Sequence, residues 1–146
     1  MAFTPFTGSP NLPKFTYTAD ASTSFTQGSL GYRDTSTGEI KEATSTVGDA
    51  TNVECVIAQT VTSAATNPTI DGYVIIPGQM WIVDCTNNTA ADQLNKAHLL
   101  TDARTVNNTS THSTDINAVF IALAIAGATT DKKLIGYIAK LGQVTA

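Results

Sequence analysis

The stretch from Tyr73 to Cys85 constrains the fold more than any other part of the chain. It holds the single tryptophan and a dense run of β-branched residues, interrupted once by Pro77-Gly78. Proline fixes φ at about −65° and glycine accepts positive φ, so Pro-Gly between two apolar runs predicts a type II turn. We therefore predict two strands, 72–76 and 79–86, near the middle of a β domain, paired antiparallel if the turn is tight.

Composition favours one β-rich domain. A chain of 146 residues has the size of a single domain with a sizeable core. Charged residues make up 14%, well below the roughly 25% of an ordinary globular domain, and threonine is the commonest residue. Threonine favours strands and forms local hydrogen bonds in turns. Strands and ordered turns are therefore expected, rather than helices or acidic disorder.

Short apolar runs separated by polar turns continue along the chain. Residues 30–34 and 39–43 flank Thr35-Ser36-Thr37-Gly38, which predicts a hairpin with Gly38 in the left-handed conformation. Further strands are predicted at 53–62, 98–100, 104–106, 116–126 and 133–141. Roughly eight or nine short strands, with turns about every 8–12 residues, are typical of closed or layered β folds. We expect a mainly β protein, built as a compact β-barrel or β-sandwich domain.

One short helix is predicted over residues 89–96. Thr89 is placed to cap the backbone, and Asp92 lies at the capping-box position near the favourable end of the helix dipole. The clearest strand, 116–126, alternates two sets of side chains. The large ones are Val119, Ile121, Leu123 and Ile125, and the other set is Ala118, Phe120, Ala122 and Ala124. This alternation predicts a strand that packs closely on both faces.

The first 29 residues differ from the rest. They contain four of the five phenylalanines and three of the five prolines, with no helical or long alternating period. Proline-rich segments stay extended and donate few ladder hydrogen bonds. We therefore predict an extended N-terminal arm, residues 1–29, followed by a β-barrel-like domain, residues 30–146.

The arm is predicted to bury its apolar side chains against another subunit. Each aromatic ring buries about 150–250 Å², so leaving several in water would favour aggregation. The alternatives are an arm that packs on its own domain and an arm that is disordered. The candidate partner-binding residues are Phe3, Phe6, Leu12, Phe15, Tyr17 and Phe25, with Phe3, Phe6, Phe15 and Tyr17 as the main anchors.

Residues that could support catalysis or bind metal are sparse. His98 is expected to be a half-buried strand residue. His112 shares a loop with Ser113 and Asp115, but catalytic triads assemble from separate segments, so loop polarity explains this cluster. Zinc-type spacings, EF-hand loops, P-loops and dinucleotide-binding glycine patterns do not occur. We expect no enzymatic activity, no metal site and no cofactor.

The two cysteines, Cys55 and Cys85, both lie in predicted strands. We expect buried thiols that behave as small hydrophobic residues. A disulfide would require neighbouring strands with Cα atoms roughly 4.4–6.8 Å apart, which the sequence does not reveal.

Charge and hydropathy exclude two classes of partner. The formal net charge is −4 and the basic residues are scattered, whereas binding a phosphate backbone needs clustered Lys and Arg. The longest apolar run, 118–128, is too short to span a bilayer. The N-terminus has neither the basic nor the apolar region of a signal peptide. We expect no nucleic-acid or membrane partner, and synthesis in a cytoplasm.

The organisation of the chain resembles that of the decoration, or cement, proteins of tailed bacteriophage heads. The resemblance covers residues 28–142, behind an arm rich in Phe and Pro. The segments that carry it are Gly31-Tyr32-Arg33-Asp34, the run from Ile76 to Asp84, Val106-Asn107-Asn108, the run from Val119 to Ala124, and Gly136-Tyr137-Ile138.

This resemblance implies a virion structural protein. It would bind the outside of a phage capsid and stabilise it by bridging neighbouring major capsid protein subunits. The family further implies a β-rich domain outside the shell, a homo-oligomer, with a trimer favoured, and an arm that reaches over neighbouring subunits. Its location would be the capsid exterior, after synthesis in the host cytoplasm.

A second hypothesis is a carbohydrate-binding or host-attachment module of a virion. Exposed Asn/Thr loops and Trp81 would contact sugars by polar pairing and stacking. Trp81 lies in a predicted central strand, however, so packing in the core is the stronger expectation for this side chain.

Overall fold

The computed structural model describes residues 3–6, 12–45, 53–62, 68–76, 78–109 and 118–139. Within these ranges the chain forms strands and two single turns of 3-10 helix, at Ala91–Gln93 and Thr129–Asp131. The strands are β1 (Thr4–Pro5), β2 (Lys14–Thr18), β3 (Leu30–Arg33), β4 (Ile40–Glu42), β5 (Val53–Ile57), β6 (Thr69–Val74), β7 (Met80–Cys85), β8 (Ala97–Asp102), β9 (Thr105–Asn107), β10 (Phe120–Ile125) and β11 (Lys133–Ile138). The prediction of a mainly β fold is confirmed.

Five strands close into a barrel in the order β7-β11-β10-β8-β9, and β9 returns to β7. The closing seam is parallel and short, with Asp84 opposite Thr105 and Cys85 opposite Val106. Because β11 occupies one edge of β7 along its length, β1 must share the other edge with β9. There Pro5 lies opposite Trp81. The N-terminal strand thus lengthens the seam that closes the barrel.

The other five strands form an antiparallel sheet in the order β2-β6-β5-β3-β4. Its two outer strands approach each other where the chain leaves β2, through a parallel bridge between Ala19 and Ile40. The predicted hairpin is confirmed as β3 and β4. Gly38 has φ 76°, the left-handed conformation that the turn requires.

Two hydrophobic cores result. The larger fills the barrel and the space between the barrel and one face of the second sheet, and it includes Trp81, Phe120 and Leu30. The smaller, on the other face of the second sheet, includes Ile40 and Ile70. Trp81 is fully buried, which confirms the prediction that it packs in the core.

The predicted pairing of the two central strands is wrong. The turn exists: the Gln79 N–H donates to the Ile76 carbonyl oxygen at 3.1 Å, and Gly78 has φ 82°. However, β6 lies between β2 and β5, while β7 belongs to the barrel. The turn therefore connects the two sheets. A turn signal fixes a local chain reversal, but it does not determine which strand edges pair afterwards.

The predicted helix is much shorter than expected. One 3-10 turn forms at Ala91–Gln93, and Thr89 does not cap it. Instead the Gln93 side chain accepts a hydrogen bond from the Ala90 N–H at 3.0 Å. The Thr89 N–H donates to the Thr129 carbonyl oxygen at 3.0 Å, so this residue joins two loops.

The two faces of β10 also differ from the prediction. Phe120 and Ala122 are fully buried in the barrel, whereas Leu123 is 39% exposed. Val119, from the large set, is fully buried as well. The bulge between Ala122 and Ala124 shifts the alternation, so Leu123 and Ala124 both lie on the outside and Ile125, opposite buried Leu134, packs against the larger core. The inward side of β10 therefore takes residues from both predicted sets.

Candidate functional site

The described parts of the N-terminal segment, residues 3–6 and 12–29, include two strands and are integrated into the fold. β1 pairs with the barrel and β2 pairs with β6. Phe3, Tyr17 and Phe25 are buried within their own chain, and the Phe3 ring packs edge-on against Phe120 at 6.0 Å between ring centroids. These three rings are therefore not available to a partner, because the chain supplies its own core for them.

The other three candidate residues remain accessible to different degrees. Leu12 is partly buried and packs against the larger core. Phe6 is 36% exposed and Phe15 is 59% exposed. They lie in different parts of the molecule: Phe6 follows β1 beside the barrel, and Phe15 lies on β2 in the second sheet. The sequence thus placed six residues in one arm, whereas the structure leaves two exposed rings at separate surfaces.

A row of apolar side chains crosses the outside of the barrel. Trp81 points inward, so its neighbour Met80 points outward, because side chains alternate along a strand. Tyr137 lies opposite Met80 on β11, and Ile121 lies opposite Tyr137 on β10. On the other side of Met80, the Phe6 N–H donates to the Met80 carbonyl oxygen at 3.1 Å. All four side chains are partly exposed.

A second row lies directly beside the first. Ile135 lies opposite Ile82, and Ala124 lies opposite Ile135. Leu123, at the bulge, adds the most exposed large side chain on this side of the barrel. We call the two rows together the barrel face. Its members are Phe6, Met80, Ile82, Ile121, Leu123, Ala124, Ile135 and Tyr137.

The barrel face is bordered by charge at one end. The Lys133 ammonium contacts the Asp84 carboxylate at 2.9 Å, and the two residues lie opposite each other in the next row. Since this pair is neutral overall, the face presents an apolar patch without net charge. A contiguous apolar patch is a candidate binding surface, whereas single exposed apolar residues are ordinary.

The sequence indicated which strands carry apolar residues on both faces, but it did not indicate that these strands form one surface. Met80 to Val83 and Leu134 to Ile138 are apolar at both alternating positions, which is unusual for a strand with one solvated face. Which strands lie side by side, and in what register, depends on pairings distant in the chain. The contiguity of the patch was therefore not predictable from the sequence.

The tryptophan invoked for sugar binding and one residue of an Asn/Thr loop, Asn108, are buried in structural roles. Trp81 lies in the barrel core. Asn108 is 1% exposed, accepts a hydrogen bond from the Asn87 N–H at 2.9 Å and donates to the Gln93 side chain at 3.0 Å. His98 is fully buried, rather than half-buried, and its Nε2 lies 2.9 Å from the Gln93 carbonyl oxygen. This polar cluster fixes the loops at one end of the barrel.

A second charged cluster holds the end of β2 to the β3–β4 hairpin. The Lys41 ammonium lies 2.7 Å from the Asp34 carboxylate and 3.4 Å from that of Asp20. The hydrogen bond from Lys41, together with those from Ser36, holds the pKa of Asp34 well below its usual range. Hydrogen bonds from Ser22 and then the Lys41 contact lower the pKa of Asp20. The ion pair to Asp34 raises the pKa of Lys41 to about 12.

The residues usually associated with catalysis or metal binding do not converge in the described ranges. Across those residues, no cluster of three or more His, Cys, Asp or Glu side chains is arranged to hold a metal ion. Cys55 and Cys85 are buried thiols in different sheets, as expected, and burial raises the pKa of Cys85 to about 12. His112, Ser113 and Asp115 lie outside the described residues.

Helices in the described part of the chain are too short to cross a membrane. In comparisons with known proteins, no protein-family model matches the chain and no protein of curated function matches it significantly.

Proposed function

We propose that this protein is a structural component of a bacteriophage virion that binds the outside of the capsid. In this role it stabilises the shell by bridging neighbouring subunits of the major capsid protein. The observation that carries the proposal is the barrel face, an uncharged apolar surface displayed on a closed barrel. The proposal also draws on the resemblance of the chain's organisation to phage decoration proteins.

The rigidity of the barrel supports a structural role for this surface. The face is built on β7, β10 and β11, which are hydrogen-bonded side by side, and a packed core lies directly beneath it. A surface held in this way loses little conformational freedom on binding, which favours affinity. Binding through the barrel face replaces the predicted binding through an apolar arm, since half of the proposed arm residues are buried.

The size of the face suits a weak, repeated contact. Three strands about 4.8 Å apart, each with two or three outward residues, and Phe6 beside them give a patch on the order of 200 Å². A stable pair of proteins usually buries about 800 Å² on each partner. The barrel face alone therefore gives low affinity. On a shell, repeated copies that favour the assembled state over loose subunits still stabilise it by mass action.

Co-sedimentation with expanded phage capsids tests the proposal. Leu123→Lys places a charge on the barrel face at an exposed position and should reduce the bound fraction about tenfold or more. Thr37→Lys adds the same charge at the exposed tip of the β3–β4 hairpin and serves as the matched control, which should bind as the unmodified protein does. Capsids should also withstand higher temperature when the protein is bound.

Two results would contradict the proposal. The first is no capsid binding by the unmodified protein. The second is binding that Leu123→Lys and Thr37→Lys leave equally unchanged, since capsid attachment would then not involve the barrel face. Circular dichroism of both variants establishes that each retains the β fold.

A further inference from the structure

The exposed edge of β2 is a second surface, separate from the barrel face. β2 pairs with β6 on one side only, and among the described residues the backbone bridge at its other edge lies at the C-terminal end, where Ala19 meets Ile40. The Arg33 guanidinium also lies over the Tyr17 ring, 5.8 Å from its centroid. Exposed strand edges are sites for the addition of a further strand. Phe15 lies on this strand and is the most exposed large apolar side chain of those described.

The hydrogen bonds to β6 show which backbone groups face this edge. The Val74 N–H donates to the Pro13 carbonyl oxygen, and the Ala19 N–H donates to the Pro68 carbonyl oxygen, both at 3.0 Å. In an antiparallel ladder, alternate residues direct both of their backbone groups to the same neighbour. The backbone groups of the odd-numbered residues of β2 therefore form hydrogen bonds with β6. The N–H and C=O groups of Lys14 and Thr16 point to the open edge.

We propose that β2 pairs with β2 of a second copy of this chain, antiparallel and centred on Phe15. In this register Lys14 lies opposite Thr16 of the second copy, so four backbone hydrogen bonds form across the two-fold axis. The two Phe15 rings become a directly opposed cross-strand pair, which is favourable for aromatic residues. The lysines do not lie opposite each other, so no like charges are directly paired.

The same register explains three features of the edge. Pro13 is compatible with it, because its nitrogen lies on the β6 side. Phe15 packs edge-on against Tyr17 of its own chain, with ring centroids 4.9 Å apart, which holds its ring at the edge. The bridge at Ala19 blocks pairing further along the strand, which disfavours a register centred on Thr16. Since the contact is small, association should be weak and concentration-dependent.

Disulfide trapping tests the register in the full chain. Phe15→Cys places a cysteine on the two-fold axis, where opposed residues of a non-hydrogen-bonded pair have Cα atoms about 4.5 Å apart, within disulfide range. Mild oxidation should yield a covalent dimer on non-reducing gels. Thr18→Cys is the matched control on the same strand, because its two copies would lie roughly 20 Å apart and should stay monomeric.

Sedimentation velocity tests the backbone pairing without a cysteine. Thr16→Pro removes an N–H that β6 does not use, so the fold should be retained while the dimer dissociation constant rises at least about tenfold. Thr16→Val keeps that N–H and should dimerise normally. Four results would overturn the proposal. In solution, these are a protein that stays monomeric at all concentrations and a protein that forms trimers. Among the variants, they are equal cross-linking of Phe15→Cys and Thr18→Cys and a dimer that Thr16→Pro leaves unaffected.

Discussion

Gly136 packs directly against the carbonyl oxygen of Ile121, on the strand next to its own. A β-carbon at Gly136 would collide with that backbone oxygen and would also come within 2.8 Å of the Phe120 ring. Gly136 lies between Trp81 on one side and Ala122 on the other. Gly136 and Ala122 are small and lie beside the large Trp81 and Phe120 rings, which allows the barrel to close around a filled interior.

Replacing Gly136 with Ala should therefore destabilise the protein by about 3 kcal/mol or more, the upper range for overpacking, because backbone atoms must move. The measurement is urea-induced unfolding followed by Trp81 fluorescence. Gly38→Ala is the control: its site has open space but φ 76°, so only conformational strain of about 1 kcal/mol applies. Equal effects at the two positions would contradict the proposed role of space inside the barrel.

Truncation of Phe3 tests whether the N-terminal strand contributes to barrel stability. The ring is buried against Phe120, and the Phe3 N–H donates to the Gly28 carbonyl oxygen at 2.9 Å. Phe3→Ala should lower the free energy of unfolding by about 3 kcal/mol. Phe6→Ala, at the half-exposed end of the same segment, should cost less than about 1 kcal/mol. If both substitutions are neutral in thermal unfolding, residues 3–6 do not form part of the stable barrel.

Local features of the fold were predictable because neighbouring residues determine them. The turn with Gly38 depends on four consecutive residues, and the burial of Trp81 follows from its position in an apolar strand. The pairing of β6 and β7 was not predictable from the Pro77-Gly78 signal. β6 pairs with β2 and β5, and β7 pairs with β1, β11 and β9, so each strand joins a sheet formed from distant segments.

The candidate site was also predictable only in part, because it depends on contacts between distant segments. The number of aromatic residues before residue 30 indicates that rings must be buried, but it does not say which surface buries them. The Phe3 ring is buried in the barrel of its own chain, whereas the Phe15 ring is exposed. Likewise, Ile82 and Ile135 become one surface only through the register between β7 and β11, which depends on the whole barrel.

Asn108 should be the most sensitive polar residue of the loop cluster. Its side chain satisfies backbone groups of Asn87 and contacts Gln93 while almost fully buried. Asn108→Ala removes the hydrogen bonds to Asn87, whereas the Gln93 side chain keeps the one from the Ala90 N–H, so the expected cost is about 1–3 kcal/mol. Asn107→Ala, one residue earlier and partly exposed, should cost less than about 1 kcal/mol. Amide hydrogen exchange should show faster exchange at Asn87 in the first variant only.

The cluster of Lys41 with Asp34 and Asp20 makes stability depend on pH in a defined direction. Both carboxyl groups have a lowered pKa in the folded protein. Their contribution is therefore present above the unfolded pKa of about 3.9 and is lost as pH falls further. Lys41 has a raised pKa of about 12, so its contribution is present below the unfolded pKa of about 10.4 and is lost as pH rises toward 12.

Lys41→Met removes the ammonium of this ion cluster, so its effect on stability can be distinguished from that of the other groups that titrate in acid. The difference in melting temperature between the unmodified protein and the variant should be largest between about pH 5 and 9. It should shrink only as pH falls below the unfolded carboxyl pKa of about 3.9 and through the lowered pKa values of Asp34 and Asp20, where the protonated carboxyls no longer attract the ammonium. Hydrogen bonds from Ser22 and Ser36 remain in the variant, so part of the acid sensitivity persists. Lys132→Met, at an exposed lysine, should show a pH-independent difference. A Lys41→Met difference that stays constant from about pH 9 down to about pH 1 would show that Lys41 does not couple the hairpin to the end of β2.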